Sequence, residues 1–268
     1  MTWTITTEVG RFLAEGMPFL VSDPVANTVL LTEAHFWRRL SNPVPGARFG
    51  WWAEGDKAHG AFVHIPEHAV VCSPLDPASI ADLPGVLANA SHLGVEARDV
   101  DAVTAAWRAK RQVLRPRARI TLLRLHDFRS RAFPEGAPRL AIAGDLPLLR
   151  SWFQLFQEQN PDDASHVEFL VDHPLEEGGV TLWEVDSRPV AMASRTSEVA
   201  GMVRMGLAFQ PTRGNRYADA AFDVGCAEAA RTAEHVLVLS GTPEATAENQ
   251  SLGFTPVQER VVLEVAED

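Results

Sequence analysis

The sequence of 268 residues predicts a mixed α/β fold built from two similar halves. Two segments, residues 49–65 and residues 180–193, have the alternating pattern and the turn residues of β-hairpins. Trp52 in the first hairpin matches Trp183 in the second, and Lys57 matches Arg188, in each case 131 positions later. This offset is close to half of the chain, so the repeat indicates an internal duplication.

Helical patterns precede both hairpins. In the first half a helix is predicted from the Asp-Pro pair at residues 23–24 to residue 40. In the second half Asp145 begins a helix whose apolar positions follow the i, i+3, i+4, i+7 spacing of one helical face. Its apolar residues are Leu149, Trp152, Phe153 and Phe156. Between the halves the pattern predicts a helix over residues 99–110 and a strand over residues 117–125.

The domain boundary is predicted in a segment rich in breakers. Residues 126–138 contain arginine, proline and glycine and show no apolar periodicity, which is typical of a linker. We therefore expect one domain at residues 1–125 and a second at residues 139–268.

Composition excludes several classes of protein. The chain has 24 basic and 35 acidic residues, a net charge of −11 and a pI near 5.3, which argues against nucleic acid as a partner. No apolar run is long enough to cross a membrane, and the N-terminus lacks the features of a signal peptide. Cys72 and Cys226 are too few for a disulfide framework or a thiolate metal site. We expect a cytoplasmic protein with no membrane partner and no metal.

A strand, a loop and a helix in the second half form the most informative segment. Residues 202–209 are predicted as a buried strand, residues 210–216 as a turn, and Tyr217 as the start of a helix. Such a loop directs the free N–H groups of the helix towards whatever lies before it, which favours an anion. Arg213 and Arg216 add positive charge at the same place.

The string Arg213-Gly-Asn-Arg-Tyr-Ala218 resembles motif A of the GNAT (Gcn5-related) N-acyltransferases. That motif runs Arg/Gln-x-x-Gly-x-Gly/Ala and is often spelled Arg-Gly-x-Gly-Tyr-Ala, so four of the six spelled positions match. The hairpin at residues 180–193, Gly201 and the Leu-Gly-Phe string at residues 252–254 also fall where this family has them. The resemblance covers residues 139–265, and the layout is similar to tandem GNAT proteins with a degenerate first half.

The resemblance implies a pantetheine thioester, acyl-CoA, as co-substrate. It places the pyrophosphate on the loop and the start of the helix, and it places the backbone amides of the preceding strand against the pantetheine and the thioester carbonyl. Such amides act as an oxyanion hole when an amine attacks the carbonyl. The implied residues are Leu207, Ala208, Phe209, Arg213, Gly214, Asn215, Arg216, Tyr217 and Ala218.

Two departures from the family pattern affect the predicted chemistry. Arg216 stands where the motif has the glycine that lets the backbone approach the pyrophosphate. Many family members also have Asn-x-x-Tyr before the Leu-Gly-Phe element, with the tyrosine as the acid for the leaving thiolate. Here those positions hold Thr246 and Asn249, and Asn249 can donate a hydrogen bond but no proton. The single tyrosine of the chain, Tyr217, lies at the helix start instead.

The resemblance also indicates a catalytic base. His166 precedes the second hairpin, where this fold shapes the acceptor site, and histidine titrates near neutral pH, so His166 is the candidate base.

The first half lacks the features of a phosphate site. In the first half the corresponding junction has no Gly-Arg turn, and Asp76 would repel a phosphate. We expect no CoA site there and a structural role for that half.

The sequence is compatible with three functions. The leading one is an N-acyltransferase that moves an acyl group from acyl-CoA to an amine of a small-molecule acceptor. The second replaces the donor by the phosphopantetheine thioester of an acyl carrier protein in natural-product biosynthesis, because a single phosphate depends less on the missing glycine. The third is a non-catalytic module that keeps the fold and binds CoA or another ligand.

Overall fold

The computed structural model describes residues 2–40, 45–161, 163–212, 214 and 216–266. Its strands are β1 (Thr2–Thr6), β2 (Arg48–Glu54), β3 (Lys57–His64), β4 (Val70–Cys72), β5 (His92–Glu96), β6 (Leu114–Leu125), β7 (Ala137–Leu140), β8 (Val180–Val185), β9 (Arg188–Arg195), β10 (Met202–Phe209), β11 (His235–Ser240) and β12 (Phe254–Val265). Its α-helices are α1 (Val9–Leu20), α2 (Thr28–Arg39), α3 (Pro77–Val86), α4 (Val100–Ala109), α5 (Leu146–Gln159), α6 (His173–Glu176), α7 (Tyr217–Ala229) and α8 (Pro243–Ser251). A π-helical turn at Glu168–Asp172 leads into α6.

The chain divides into two units. Unit 1 comprises Met1–Leu122, Ser240–Thr246 and Pro256–Asp268, and unit 2 comprises Leu123–Leu239 and Ala247–Thr255. The sequence predicts one boundary at residues 126–138 and keeps residues 139–268 together. The structure differs because β12 pairs antiparallel with β5, from Arg260 opposite Glu96 to Glu264 opposite His92, and this places the end of the chain in unit 1.

Each unit contains antiparallel and parallel strands with helices packed on them. The strand order is β1-β2-β3-β4-β5-β12-β6 in unit 1 and β11-β10-β9-β8-β7 in unit 2. In both units a pair of parallel strands follows the hairpin, β4 with β5 and β10 with β11. The predicted mixed α/β fold class is confirmed.

The two predicted hairpins have the same register. Trp52 pairs with Gly60 and Trp183 with Ala191, and every other pair of the β2/β3 hairpin from Phe49 onward has a counterpart 131 positions later in β8/β9. Both hairpins also carry a register shift directly after the matching tryptophan. A bulge at the same place in two hairpins is a specific feature rather than a consequence of strand propensity, so it supports the duplication.

The core of unit 2 lies on both faces of its strands. One cluster packs under α7 and includes Val203, Met205, Phe222 and Phe254. The other packs under α5, whose predicted apolar residues Leu149, Trp152 and Phe153 are buried, and includes Leu207 and Phe209. Helices on both faces exclude water from strands that carry few polar residues.

The connecting segment, residues 126–136, has no helix or strand but is held by specific contacts within unit 2. The His126 N–H donates to the carbonyl of Gly253, and the Arg129 N–H donates to the carbonyl of Leu252. The Trp183 indole donates to the carbonyl of Glu135 at 2.9 Å. These contacts fix both ends of the segment on unit 2.

Candidate functional site

Strands β10 and β11 separate part of the way along their length. Their parallel pairing covers Met202, Val203 and Arg204, and it ends where Arg204 lies opposite Leu237. On its other edge β10 shifts register against β9 between Met205 and Ala208. We call the space beside residues 205–209 of β10 the strand cleft.

The register shift reverses the faces of β10. Val203 and Met205 pack in the cluster under α7, whereas Leu207 and Phe209 pack in the cluster under α5. An extra residue in a strand has this effect because side chains alternate between faces with a period of two. In this part of β10 the small residues Gly206 and Ala208 are exposed.

Gly206 packs closely against β9 at the bulge. A Cβ atom there would lie 2.9 Å from Ser194 Oγ. The same Ser194 hydroxyl, which is buried, accepts a hydrogen bond from the Leu207 N–H at 3.1 Å. Leu207 is therefore held by β9, and its amide, which the resemblance assigns to the thioester, already has a partner.

The loop after β10 leads directly to the start of α7. The Ala218 N–H, one of the free amides of the first helical turn, donates to Gln210 Oε1 at 2.9 Å. Tyr217 is buried, and its hydroxyl donates to Glu135 Oε1 at 3.2 Å. Gly214 has φ +117° and open space where a Cβ would lie. The predicted phosphate-binding residues Arg213 and Asn215 lie outside the described residues.

Five charged side chains form an ion-pair cluster at this end of α7: Arg131, Arg216, Asp219, Asp223 and Glu248. The Arg216 guanidinium donates to Asp219 and to Glu248, the second at 2.5 Å. The Arg131 guanidinium donates to both carboxylate oxygens of Asp223 and to Glu248. Three carboxylates thus neutralise two guanidinium groups at the place where the sequence predicts a phosphate.

Burial divides this cluster into two parts. Asp223 is fully buried and the Arg131 side chain is 19% exposed, whereas the Arg216 and Glu248 side chains are 61% and 48% exposed. Exposed ion pairs contribute only about 0–1 kcal/mol, and buried ones are costly to break. The Arg131–Asp223 pair is therefore structural, and Arg216 can exchange its partners at little cost.

The predicted acid and base residues occupy different surroundings. His166 is exposed and directly precedes the helical turns of residues 167–176. The Thr246 hydroxyl hydrogen-bonds to Ser240 Oγ at 3.0 Å and to the carbonyl of Thr242, in unit 1. Asn249 is half-buried in unit 2, and its backbone carbonyl accepts a hydrogen bond from the Leu252 N–H. The catalytic roles of these three residues stay predictions.

Cys226 on α7 is not a nucleophile at this site. Its side chain is fully buried, and burial, reinforced by the charge of Asp223, raises the pKa of its thiol well above the ordinary value. A buried protonated thiol neither attacks a carbonyl nor binds a metal.

The corresponding place in unit 1 is filled by protein groups. Asp76 caps α3 by accepting the Ala78 N–H at 2.7 Å, which occupies the position of an anion at a helix start. The buried Arg260 side chain donates to the carbonyls of Cys72 at 2.5 Å and Gly94 at 3.0 Å, so it bridges β4 and β5. The absence of a CoA site in unit 1 stays a prediction.

Sequence reasoning missed most of the partners around α7. Gln210 lies eight positions before Ala218 and outside the capping position of α7, so no local pattern indicates their hydrogen bond. Arg131 and Asp223 are 92 positions apart and Arg216 and Glu248 are 32 apart, so no local pattern indicates either pair.

The described residues were compared with the arrangements typical of metal sites and of membrane-spanning helices. Across the described residues, no three or more histidine, cysteine, aspartate or glutamate side chains are arranged to hold a metal ion. No helix in the described ranges is long and apolar enough to cross a bilayer.

Comparison with known proteins finds similarity at the level of the fold. No protein-family model and no curated protein sequence matches the chain. An acetyltransferase of the GNAT family from Colwellia psychrerythraea matches with a TM-score of 0.60 at 9% identity, and the match covers 100% of both chains. A GCN5-related N-acetyltransferase from Sphaerobacter thermophilus matches with a TM-score of 0.58 at 14% identity over 97% of this chain and 94% of that one.

A tandem GNAT protein from the clavulanic acid biosynthesis pathway matches with a TM-score of 0.57 at 11% identity, covering 100% of this chain and 99% of that chain. This match spans both halves of the chain, as the repeated hairpin and the two parallel strand pairs require. The protein therefore has the fold of the GNAT superfamily in its tandem form.

Proposed function

We propose that the chain is an N-acyltransferase whose unit 2 takes an acyl group from acyl-CoA and transfers it to an amine of a small-molecule acceptor. The observation that supports this most is the separation of β10 from β11 after Arg204, next to the start of α7. It places exposed residues of β10 close in sequence to the start of a helix, and these two features suit a thioester and a phosphate.

In the proposed reaction the amine nitrogen attacks the thioester carbonyl carbon, and the oxygen becomes an oxyanion. The amides of Ala208 and Phe209 are the proposed donors to it, since that of Leu207 is bonded to Ser194. A C–N bond forms, the C–S bond breaks, and the sulfur leaves with both electrons. His166 is the proposed acceptor of the amine proton, and the thiolate takes a proton from water, with a hydrogen bond from Asn249 as its aid.

Binding of the CoA pyrophosphate requires two exchanges at the start of α7. Gln210 must release the Ala218 N–H, and Arg216 must replace Glu248 by a phosphate oxygen. The Arg216–Glu248 contact is exposed, so its release costs about 1 kcal/mol or less. The bond from the Ala218 N–H to Gln210 is partly buried, and its release costs about the 0.5–1.5 kcal/mol of an ordinary hydrogen bond. A charge-assisted bond between arginine and phosphate is stronger than that, so the doubly charged ligand displaces the carboxylate.

A second candidate is the carrier-protein thioester of natural-product biosynthesis. Arg216 supports it, because this side chain stands at the motif's glycine and lies against α7 through Asp219. It therefore narrows the approach for a diphosphate more than for a single phosphate.

The test measures binding to the full chain by calorimetry with CoA, 4′-phosphopantetheine and pantetheine. We expect CoA to bind most tightly, and Arg216→Ala to weaken CoA about tenfold while leaving pantetheine unchanged. Glu248→Gln should strengthen CoA binding, because it removes the competing carboxylate. The matched control is Arg188→Ala, which removes an exposed arginine at the β8/β9 turn.

Release of thiol from acetyl-CoA is then followed over a panel of amines. Binding of phosphopantetheine with turnover only from an acyl-loaded carrier protein would support the second candidate instead. Tight CoA binding without turnover of either donor would indicate a non-catalytic module. If Arg216→Ala binds CoA as well as the unaltered chain does, the phosphate site is elsewhere.

A further inference from the structure

Unit 1 contains a cavity of about 200 Å³ that the proposed function does not use. It lies between α2 and the strands β3 and β4. Most of its wall is aliphatic, from Val63, Ile65, Ala69 and Val71. His68 also borders it, and Glu33 and Trp37 close it from the helix.

Glu33 gives this apolar cavity a negative charge. Its Oε2 accepts a hydrogen bond from the Trp37 indole at 3.0 Å, which fixes the carboxylate against the ring. Over the described residues its Oε1 has no hydrogen bond and Glu33 has no ion pair. A half-buried carboxylate with one oxygen unpaired gains more from a cation than an exposed one does, because the apolar wall weakens screening by water.

Trp37 fixes the orientation of this carboxylate. Its side chain is 9% exposed and is held edge-on against Phe36, with ring centroids 4.8 Å apart. The Glu33 carboxylate lies at the N–H edge of the indole, and its second oxygen can form an ion pair with an ammonium group. An anion in the cavity would be repelled by the negative charge of Glu33.

The volume sets the size of the ligand. A benzene molecule occupies an apolar protein cavity of about 150 Å³. About 200 Å³ therefore holds a six-membered ring or an equivalent alkyl group together with one aminomethyl group.

We propose that this cavity binds a small organic ammonium ion, a primary amine carrying an apolar body about the size of a phenyl ring. The ammonium group pairs with Glu33 at the helix, and the apolar body fills the space over β3 and β4. The site lies within unit 1 and does not depend on the donor site proposed in unit 2.

The test compares two ligands of nearly the same shape, benzylammonium and benzyl alcohol, by calorimetry on the full chain. We expect benzylammonium to bind about five- to tenfold more tightly, since a hydrogen bond to a charged group is stronger than a neutral one by about that factor. Glu33→Gln keeps an acceptor for the Trp37 indole but removes the charge, so it should abolish the preference. Glu15→Gln, an exposed change on α1, is the matched control and should preserve it.

Location is tested separately from affinity. Val71→Phe fills the cavity and should remove binding of both ligands, with Ala69→Leu as a second filling variant if circular dichroism shows that the first is unfolded. In the spectrum of the seven tryptophan indole N–H groups, the signal lost in Trp37→Phe should be the one that benzylammonium shifts. Equal affinity for the two ligands, an unchanged preference in Glu33→Gln, or absence of millimolar binding would overturn the proposal.

Discussion

Replacing Arg131 by alanine removes the counter-ion of a carboxylate that has no contact with solvent. Asp223 is fully buried on α7, and Arg131 supplies three hydrogen bonds to it: from Nε and from its backbone N–H at 3.1 Å each, and from Nη2 at 2.5 Å. The substitution keeps the backbone bond and deletes the two bonds from the guanidinium.

These contacts determine how much stability the substitution removes. Each hydrogen bond between charged groups contributes about 1.5–3 kcal/mol, and breaking a buried ion pair by removing one partner costs about 3–5 kcal/mol. We therefore expect Arg131→Ala to lower the free energy of unfolding of unit 2 by about 3–5 kcal/mol. Arg129→Ala, two positions away in an exposed pair with Asp127, should cost less than about 0.5 kcal/mol.

The assay is unfolding in urea, monitored by hydrogen exchange in peptides from α7. The exchange of these peptides reports the stability of unit 2 directly. Adding Asp223→Asn to Arg131→Ala should recover at least about 1.5 kcal/mol, because the amide still accepts the Arg131 backbone N–H without a buried charge. A loss below about 1 kcal/mol in Arg131→Ala, or no recovery in the double variant, would refute the argument that burial makes this pair structural.

Three other predictions concern stability and reactivity. Gly253→Ala should cost about 3 kcal/mol or more in thermal melting, since its φ is +97° and a Cβ would lie 1.8 Å from a backbone carbonyl, whereas Gly55→Ala, with open space at φ +58°, should cost about 1 kcal/mol. Hydrogen bonds from Arg139 hold the pKa of Asp145 below its ordinary 3.8, so its carboxylate stabilises the fold above the unfolded-state pKa. Asp145→Asn should therefore destabilise by about 1 kcal/mol near neutral pH, and the difference should vanish as the pH falls through the lowered pKa, which titrated urea melts would detect. Both cysteines are buried, and burial raises the pKa of Cys72 to about 12, so a thiol reagent at mildly alkaline pH should label neither before unfolding.

The sequence predicts local structure well and distant partners poorly. The β8/β9 hairpin is indicated by its turn, and the structure shows positive φ at both Asp186 and Ser187, as a tight hairpin requires. The strand, loop and helix at residues 202–229 are local in the same sense. Each of these elements is indicated by the periodicity and the breaker residues within a window of about ten residues.

Long-range pairing explains what the sequence leaves out. Arg260 reaches Cys72 across 188 positions, and β12 pairs with β5 across more than 160. Each of these contacts depends on the completed fold, since no local sequence pattern at one residue predicts its distant partner. The ion-pair cluster at α7 was missed for the same reason, and with it the competition between Glu248 and a phosphate for Arg216.

The pairing of β12 with β5 has a consequence for biosynthesis. Unit 1 contains the first 122 residues, yet its sheet includes a strand made from the last dozen or so. During translation β5 therefore has an unpaired edge until residues 254–265 have been synthesised, and an open edge is prone to pair with other chains. Cutting the gene at its apparent midpoint would produce a first half that permanently lacks this strand. A useful division for expression has to carry residues 256–266 with the N-terminal half, for example by circular permutation.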